Sequence, residues 1–382
     1  NTTGSANTAF GRDSLRHNTT ASNNTAVGKN ALEVNTTGAS NVAVGSGALD
    51  ANTTADNNTA IGYEALTSNT SGTGNTAVGR TALHANTTGS NHTAVGMGAL
   101  ESVTTASGLT AFGKDALQSV TTGGANTGIG RDALQSVTTG DSNTAVGYYA
   151  LQDSTGDACT AVGRAALLEN TTGGGNVAIG AYSLDANTTG SSNTAVGRSA
   201  LSANTTASNN TAVGRNSMLS NTTGTSCAAL GVGALQDNTT GNNHTAIGVN
   251  ALNQCTTGDN NTAVGDDALT AITTGNNNTA VGKNAGEALT TANQNTMIGQ
   301  NAGNRTTTGA YNVCVGAEAD TSSSTSEGEI VIGRNLTGGG NNSVRFGQDG
   351  NTATLSIDGS DTSWAAASDV RLKENIKDSS AG

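Results

Sequence analysis

The apolar positions of the chain form one short pattern, repeated. In residues 75–91, NTAVGRTALHANTTGSN, apolar side chains cluster at Ala77–Val78 and at Ala82–Leu83, and most of the rest is small or polar. The pattern recurs in register on 20 glycines, from Gly11 and Gly28 to Gly333, with a period of 17 and one 16-residue step between Gly147 and Gly163. We number the unit from the Asn of NTAVG. Position 4 is apolar in all 20 units, and position 9 is Leu in 15 of the first 16, with Met218 the exception. Position 8 is Ala or Ser in all but the last unit, and positions 12–14 usually read NTT.

A 17-residue period is shorter than the helical repeats and close to the short β-solenoid class. The unit has no apolar stripe at 3.6-residue spacing, and Asn, Thr, Gly and Val are poor helix formers. NTAVG therefore predicts a short strand ending at a glycine corner. The Ala-Leu pair predicts a second short strand, and NTTGSN a polar turn. Stacked coils set Val on Val, Leu on Leu and Asn on Asn, with backbone pairing at ~4.8 Å per coil and amide ladders along the Asn columns. On that spacing 20 coils predict a rod roughly 95 Å long.

One Val, one Leu and two Ala are too little apolar surface to hold one coil alone, so neighbours must stack. The thin core also predicts lateral association. If Val at position 4 fills the coil, Ala at position 3 faces outward as a smooth stripe suited to a three-fold axis. The expected fold is all-β: a solenoid or β-roll of ~17-residue coils assembled as a parallel homotrimeric fibre.

The pattern changes after residue 277, where position 9 becomes Gly286, Gly303 and Asp320. This divides the chain into a regular shaft over 1–277, modified and narrower repeats over 278–333, and a β-hairpin end segment over 334–364 with strands around QDGN.

Composition agrees with a repeat fibre. Aromatics are 2% of the 382 residues, Pro is absent and Gly numbers 53, so an ordinary compact core is excluded. Net charge is −12, which argues against a nucleic-acid partner. No apolar run is long enough to span a membrane, and no signal peptide opens the chain. The chain starts within a repeat, which suggests an excised fragment.

Units such as NTAVGKNAG and NVCVGAEAD resemble the head repeats of trimeric autotransporter adhesins. That resemblance covers residues 1–333 and implies a trimeric, left-handed parallel β-roll. The last stretch differs: SDVRLKENI, residues 368–376, resembles the start of the self-cleaving, endosialidase-type intramolecular chaperone that ends many phage tail fibres and tailspikes. The resemblance implies that 365–382 holds a linker and the beginning of that domain. It also implies trimer assembly followed by autocleavage between Ser368 and Asp369, with Ser368 supplying the hydroxyl and Lys373 accepting its proton. The chemistry is sound: a Ser hydroxyl needs a base, and a desolvated Lys can act as one. Ser368 also suits a helix N-cap, with Asp369 and Lys373 at i,i+4. Only 14 residues follow Ser368, so this chain is expected to be inactive.

The remaining residues offer little chemistry. His17, His84, His92 and His244 lack metal-ligand spacing, and Cys159, Cys227, Cys255 and Cys314 lack disulfide or metal spacing. GDNNTAVGDD at 258–267 lacks the spacing of a calcium loop. Ten NTT sequons read either as turn chemistry or as glycan acceptors. NTT also lacks the alternating threonines of an ice-binding face. No cofactor, metal or separate substrate is expected. The expected function is a virion tail or extracellular fibre, partnered with itself and with a host glycan or protein receptor. A cell-surface trimeric adhesin or filament is the alternative.

Overall fold

The computed structural model describes residues 1–357 and 365–366. They fall into two units, 1–215 and 216 onward. Both are all-β, and no helix occurs among the described residues. Each unit is a β-solenoid with 17-residue coils, as the period predicts.

In the first unit each coil carries one three-residue strand at positions 2–4: Thr8–Phe10, Thr25–Val27, Val42–Val44 and onward to Thr211–Val213. Like positions pair in parallel, so Thr25 lies beside Val42, Ala26 beside Ala43 and Val27 beside Val44. The 16-residue step leaves the register intact, with Thr160 beside Thr144. The missing residue is taken from the polar turn, where Ser154 stands in for the usual Asn and accepts from Asn170 Nδ2 at 2.9 Å. Position 5 ends each strand because only glycine fits: Gly28 has φ 135°, and a Cβ there would come within 2.5 Å of the Gly45 carbonyl oxygen.

Two expectations are corrected. Position 3, not position 4, faces the coil interior. Ala26, Ala43, Ala60 and Ala77 are fully buried, whereas Phe10, Ile61, Phe112 and Ile129 are 76, 40, 56 and 40% exposed. The reason is room. Gly128 occupies position 3 of its coil, and a Cβ there would already lie 3.2 Å from Leu117 Cγ of the coil before. Beside the position-9 Leu, the interior has space for a methyl group and for little more.

The Ala-Leu pair is also not a second strand. Ala31 and Leu32 are both fully buried, although neighbouring side chains of a strand point to opposite faces. A left-handed backbone resolves this, with φ 59° at Asn30 and 50° at Leu32. Backbone pairing between coils continues here, as in Leu32 N–H to the Ala48 carbonyl at 3.0 Å.

Asparagine forms two interior ladders. At position 12, Asn52 Nδ2 donates to Asn35 Oδ1 at 2.9 Å and to the Ala55 carbonyl at 3.1 Å. At position 1, Asn41 Oδ1 accepts from Asn58 N–H at 2.9 Å, and Asn41 Nδ2 donates to the same Ala55 carbonyl at 2.8 Å. Both amide columns thus converge on the position-15 carbonyl and pair along the stack, and the position-12 ladder stops at Asn86, whose Oδ1 is buried without a partner below Val103.

The second unit repeats the scheme from Ala228–Leu230 to Ile330–Ile332. Core volume is redistributed where position 9 becomes glycine. Leu289 at position 12 and Met297 at position 3, both fully buried, take up the space. After Ile330–Ile332 the strand Ser343–Gln348 continues the parallel ladder, then pairs antiparallel with Asn351–Ser356.

Candidate functional site

The strand face that the coil leaves outside combines two side-chain columns: Thr at position 2 and Val, Ile, Phe or Leu at position 4. In the second unit Leu230, Ile247, Ile298 and Ile332 are 49, 40, 40 and 37% exposed. In both units the apolar column is one side chain wide and in register along the parallel ladder. The sequence carries a signal for this orientation. Position 3 is Ala in sixteen units, whereas position 4 accepts Phe10, Phe112 and Leu230. A column restricted in size is an interior column; one that tolerates phenylalanine has space beside it.

Apart from the exposed Asn1, the NTT asparagines are not surface groups. Asn35, Asn52, Asn86 and Asn170 are fully buried, so a folded coil offers their amides no route to a glycan. The threonine that follows belongs to the backbone ladder, as in Thr36 Oγ1 donating to the Thr53 carbonyl at 3.0 Å.

Several titratable groups inside the coils are ladder substitutes. His244 at position 1 accepts from Asn261 N–H through Nδ1 at 3.2 Å, and its Nε2 lies 2.6 Å from the Gly258 carbonyl. A neutral imidazole with its proton on Nε2 therefore reproduces the acceptor and donor of an Asn. His92 Nδ1 accepts from Leu109 N–H at 3.3 Å, while its buried Nε2 has no hydrogen-bond partner. Burial holds the His92 imidazole down at about 4 and lowers that of His244.

Cys159 and Cys227, also at position 1, direct Sγ to the Gly173 and Gly241 carbonyls at 3.3 and 3.5 Å. Burial pushes the Cys255 and Cys314 thiols up to about 12, so none of these sulfurs is an activated nucleophile. Asp259, within the 258–267 segment, accepts from Asn242 N–H at 2.7 Å. Among the described residues no group of three or more His, Cys, Asp or Glu is placed to hold a metal ion. Ser368, Asp369 and Lys373 lie outside the described residues.

No protein-family model matches the chain, and no curated protein matches it.

Proposed function

We propose that this chain is the shaft of a homotrimeric extracellular fibre, a phage tail fibre or spike that attaches to a host surface. The observation that carries this reading is the exposed position-4 column, exemplified by Ile61, Phe112 and Ile129. An exposed apolar column of this kind costs free energy in water unless another surface covers it. It is one side chain wide and repeats at the coil spacing. Its natural cover is therefore the same column on parallel copies, closed around a three-fold axis. This replaces the Ala column as the source of the interface. Sedimentation equilibrium tests the reading: assembly to three times 37.3 kDa is expected, and a stable folded monomer at micromolar concentration would end it.

The second part of the proposal rests on SDVRLKENI alone. In a product that carries the chaperone domain, packing of that domain brings Lys373 to the Ser368 hydroxyl, and the chain is cut between Ser368 and Asp369 once trimers have formed. Apart from this self-cleavage the chain is no enzyme, and its other partner is a host glycan or protein.

A further inference from the structure

The basic residues of the first unit are not scattered. Of the nine Lys and Arg among residues 1–215, all but Arg16 stand at position 6, just past the glycine corner. The chain carries a net charge of −12, so this is a cationic line on an acidic protein. Along part of that line the arginines meet aromatics, in a chain with only five tyrosines. Position 6 reads Arg131, Tyr148, Arg164, Ala181, Arg198 and Arg215 on successive coils, and Tyr149 and Tyr182 occupy position 7.

The parallel register from Thr127 to Val213 sets these side chains beside one another. The Arg131 guanidinium lies 5.5 Å from the Tyr148 ring centre, and that of Arg164 lies 5.4 Å from Tyr182. The Tyr148 and Tyr149 rings are 3.9 Å apart, centre to centre. The arginines are exposed and the tyrosines half-buried. Asp132, itself buried, takes Arg131 Nε at 2.9 Å. Position 7 is Ala165, Ser199 and Asn216 beside Arg164, Arg198 and Arg215, so those coils place no carboxylate next to the guanidinium.

We propose that this edge, from Arg131 to Arg215, binds an extended anionic glycan lying across successive coils. Guanidinium forks take carboxylate or sulfate bidentately. Tyr rings give flat apolar platforms for the C–H faces of sugar rings, and stacking on Tyr holds Arg131 and Arg164 in place before the ligand arrives. Arg131, Arg164 and Arg198 recur on every second coil, a spacing of ~10 Å on the coil rise. That is close to two pyranose rings, which matches a polysaccharide with one anionic group per disaccharide. Nucleic acid fits less well, because a strand carries one charge about every 3.4 Å, far closer than the arginine spacing. The proposal rests on the reading of the chain as an adhesive fibre and names the class of its receptor.

Isothermal titration with hyaluronan and heparin oligosaccharides tests it, with neutral dextran and a single-stranded oligonucleotide of equal charge as comparators. Wild type should bind at least one of the two anionic glycans, more weakly as salt rises, and should ignore dextran. Arg164→Gln with Arg198→Gln should weaken binding about tenfold or more. Tyr148→Ala with Tyr182→Ala should weaken it comparably, and Arg164→Lys should lose part of it. Arg16→Gln, away from the edge, should change nothing. Circular dichroism and sedimentation should match wild type for every variant, which separates loss of the site from loss of the fibre. Failure to bind either glycan, variants that bind like wild type, or equal affinity for the oligonucleotide would each overturn the assignment.

Discussion

Met297 fills the space that a leucine side chain occupies in other coils, and Gly303 leaves that space free. A Cβ on Gly303 would stand 2.8 Å from Met297 Cγ, and Met297 is fully buried. Position 3 is large here only because position 9 of the same coil has no side chain. Gly303→Leu should overpack the coil and cost about 1–3 kcal/mol, while adding Met297→Ala to it should recover most of that loss. Left-handed φ is no obstacle, since Leu32 and Leu49 take φ 50° and 52° at the same position. Denaturation midpoints of the single and double variants measure the coupling, and simple additivity would contradict this packing.

Acid should destabilise the solenoid through its buried histidines. His92 is held at about 4 in the folded chain, against 6.5 when unfolded, because burial disfavours the imidazolium. Its folded pKa is depressed, so below 6.5 the unfolded chain takes up the proton first. Stability is complete above pH 6.5 and falls as pH drops towards 4, by up to about 3 kcal/mol. His244 is lowered for the same reason and adds to the loss. His92→Asn restores the ladder amide and should raise the melting temperature between pH 4 and 6.5 more than at pH 8. An equal shift at both pH values would contradict this assignment.

Much of the fold was legible because repetition turns weak local preferences into a strong signal. The period, the Asn ladders and the buried Leu column could be read from residues such as Asn35, Asn52 and Leu83. Orientation was harder. In a three-residue strand such as Thr76-Ala77-Val78, hydrophobicity favours Val inside, and only the opposing Leu83 volume decides for Ala. The left-handed turn was legible in part: position 7 carries Asn30, Gly47 and Asp132, which favour that region, whereas a leucine such as Leu83, φ 55°, does not. The ladder supplies the constraint, and a single unit does not reveal it. The candidate site was legible in part. The exposed column lies at position 4 rather than at position 3, and the position-6 line of arginines appears only when the coils are stacked.

Self-cleavage makes a separate prediction. A product with the complete chaperone domain should yield, by intact-mass measurement, one fragment ending at Ser368 and another beginning at Asp369. Ser368→Ala and Lys373→Ala should each remain uncut and still trimeric. Cleavage at that bond in either variant would remove the proposed dyad, and a folded wild type that is never cut would remove the proposal itself.

The claim that position-4 columns of identical copies pack together is tested most directly by spin labelling. The four native cysteines are buried, and burial raises each thiol, so a label should go to an introduced cysteine alone. A nitroxide at Val95→Cys, on the outward face of the strand, should show strong dipolar broadening between chains. The same label at Thr88→Cys, exposed in the polar turn, should show little. Narrow, uncoupled spectra at position 95 in a folded protein would contradict the account.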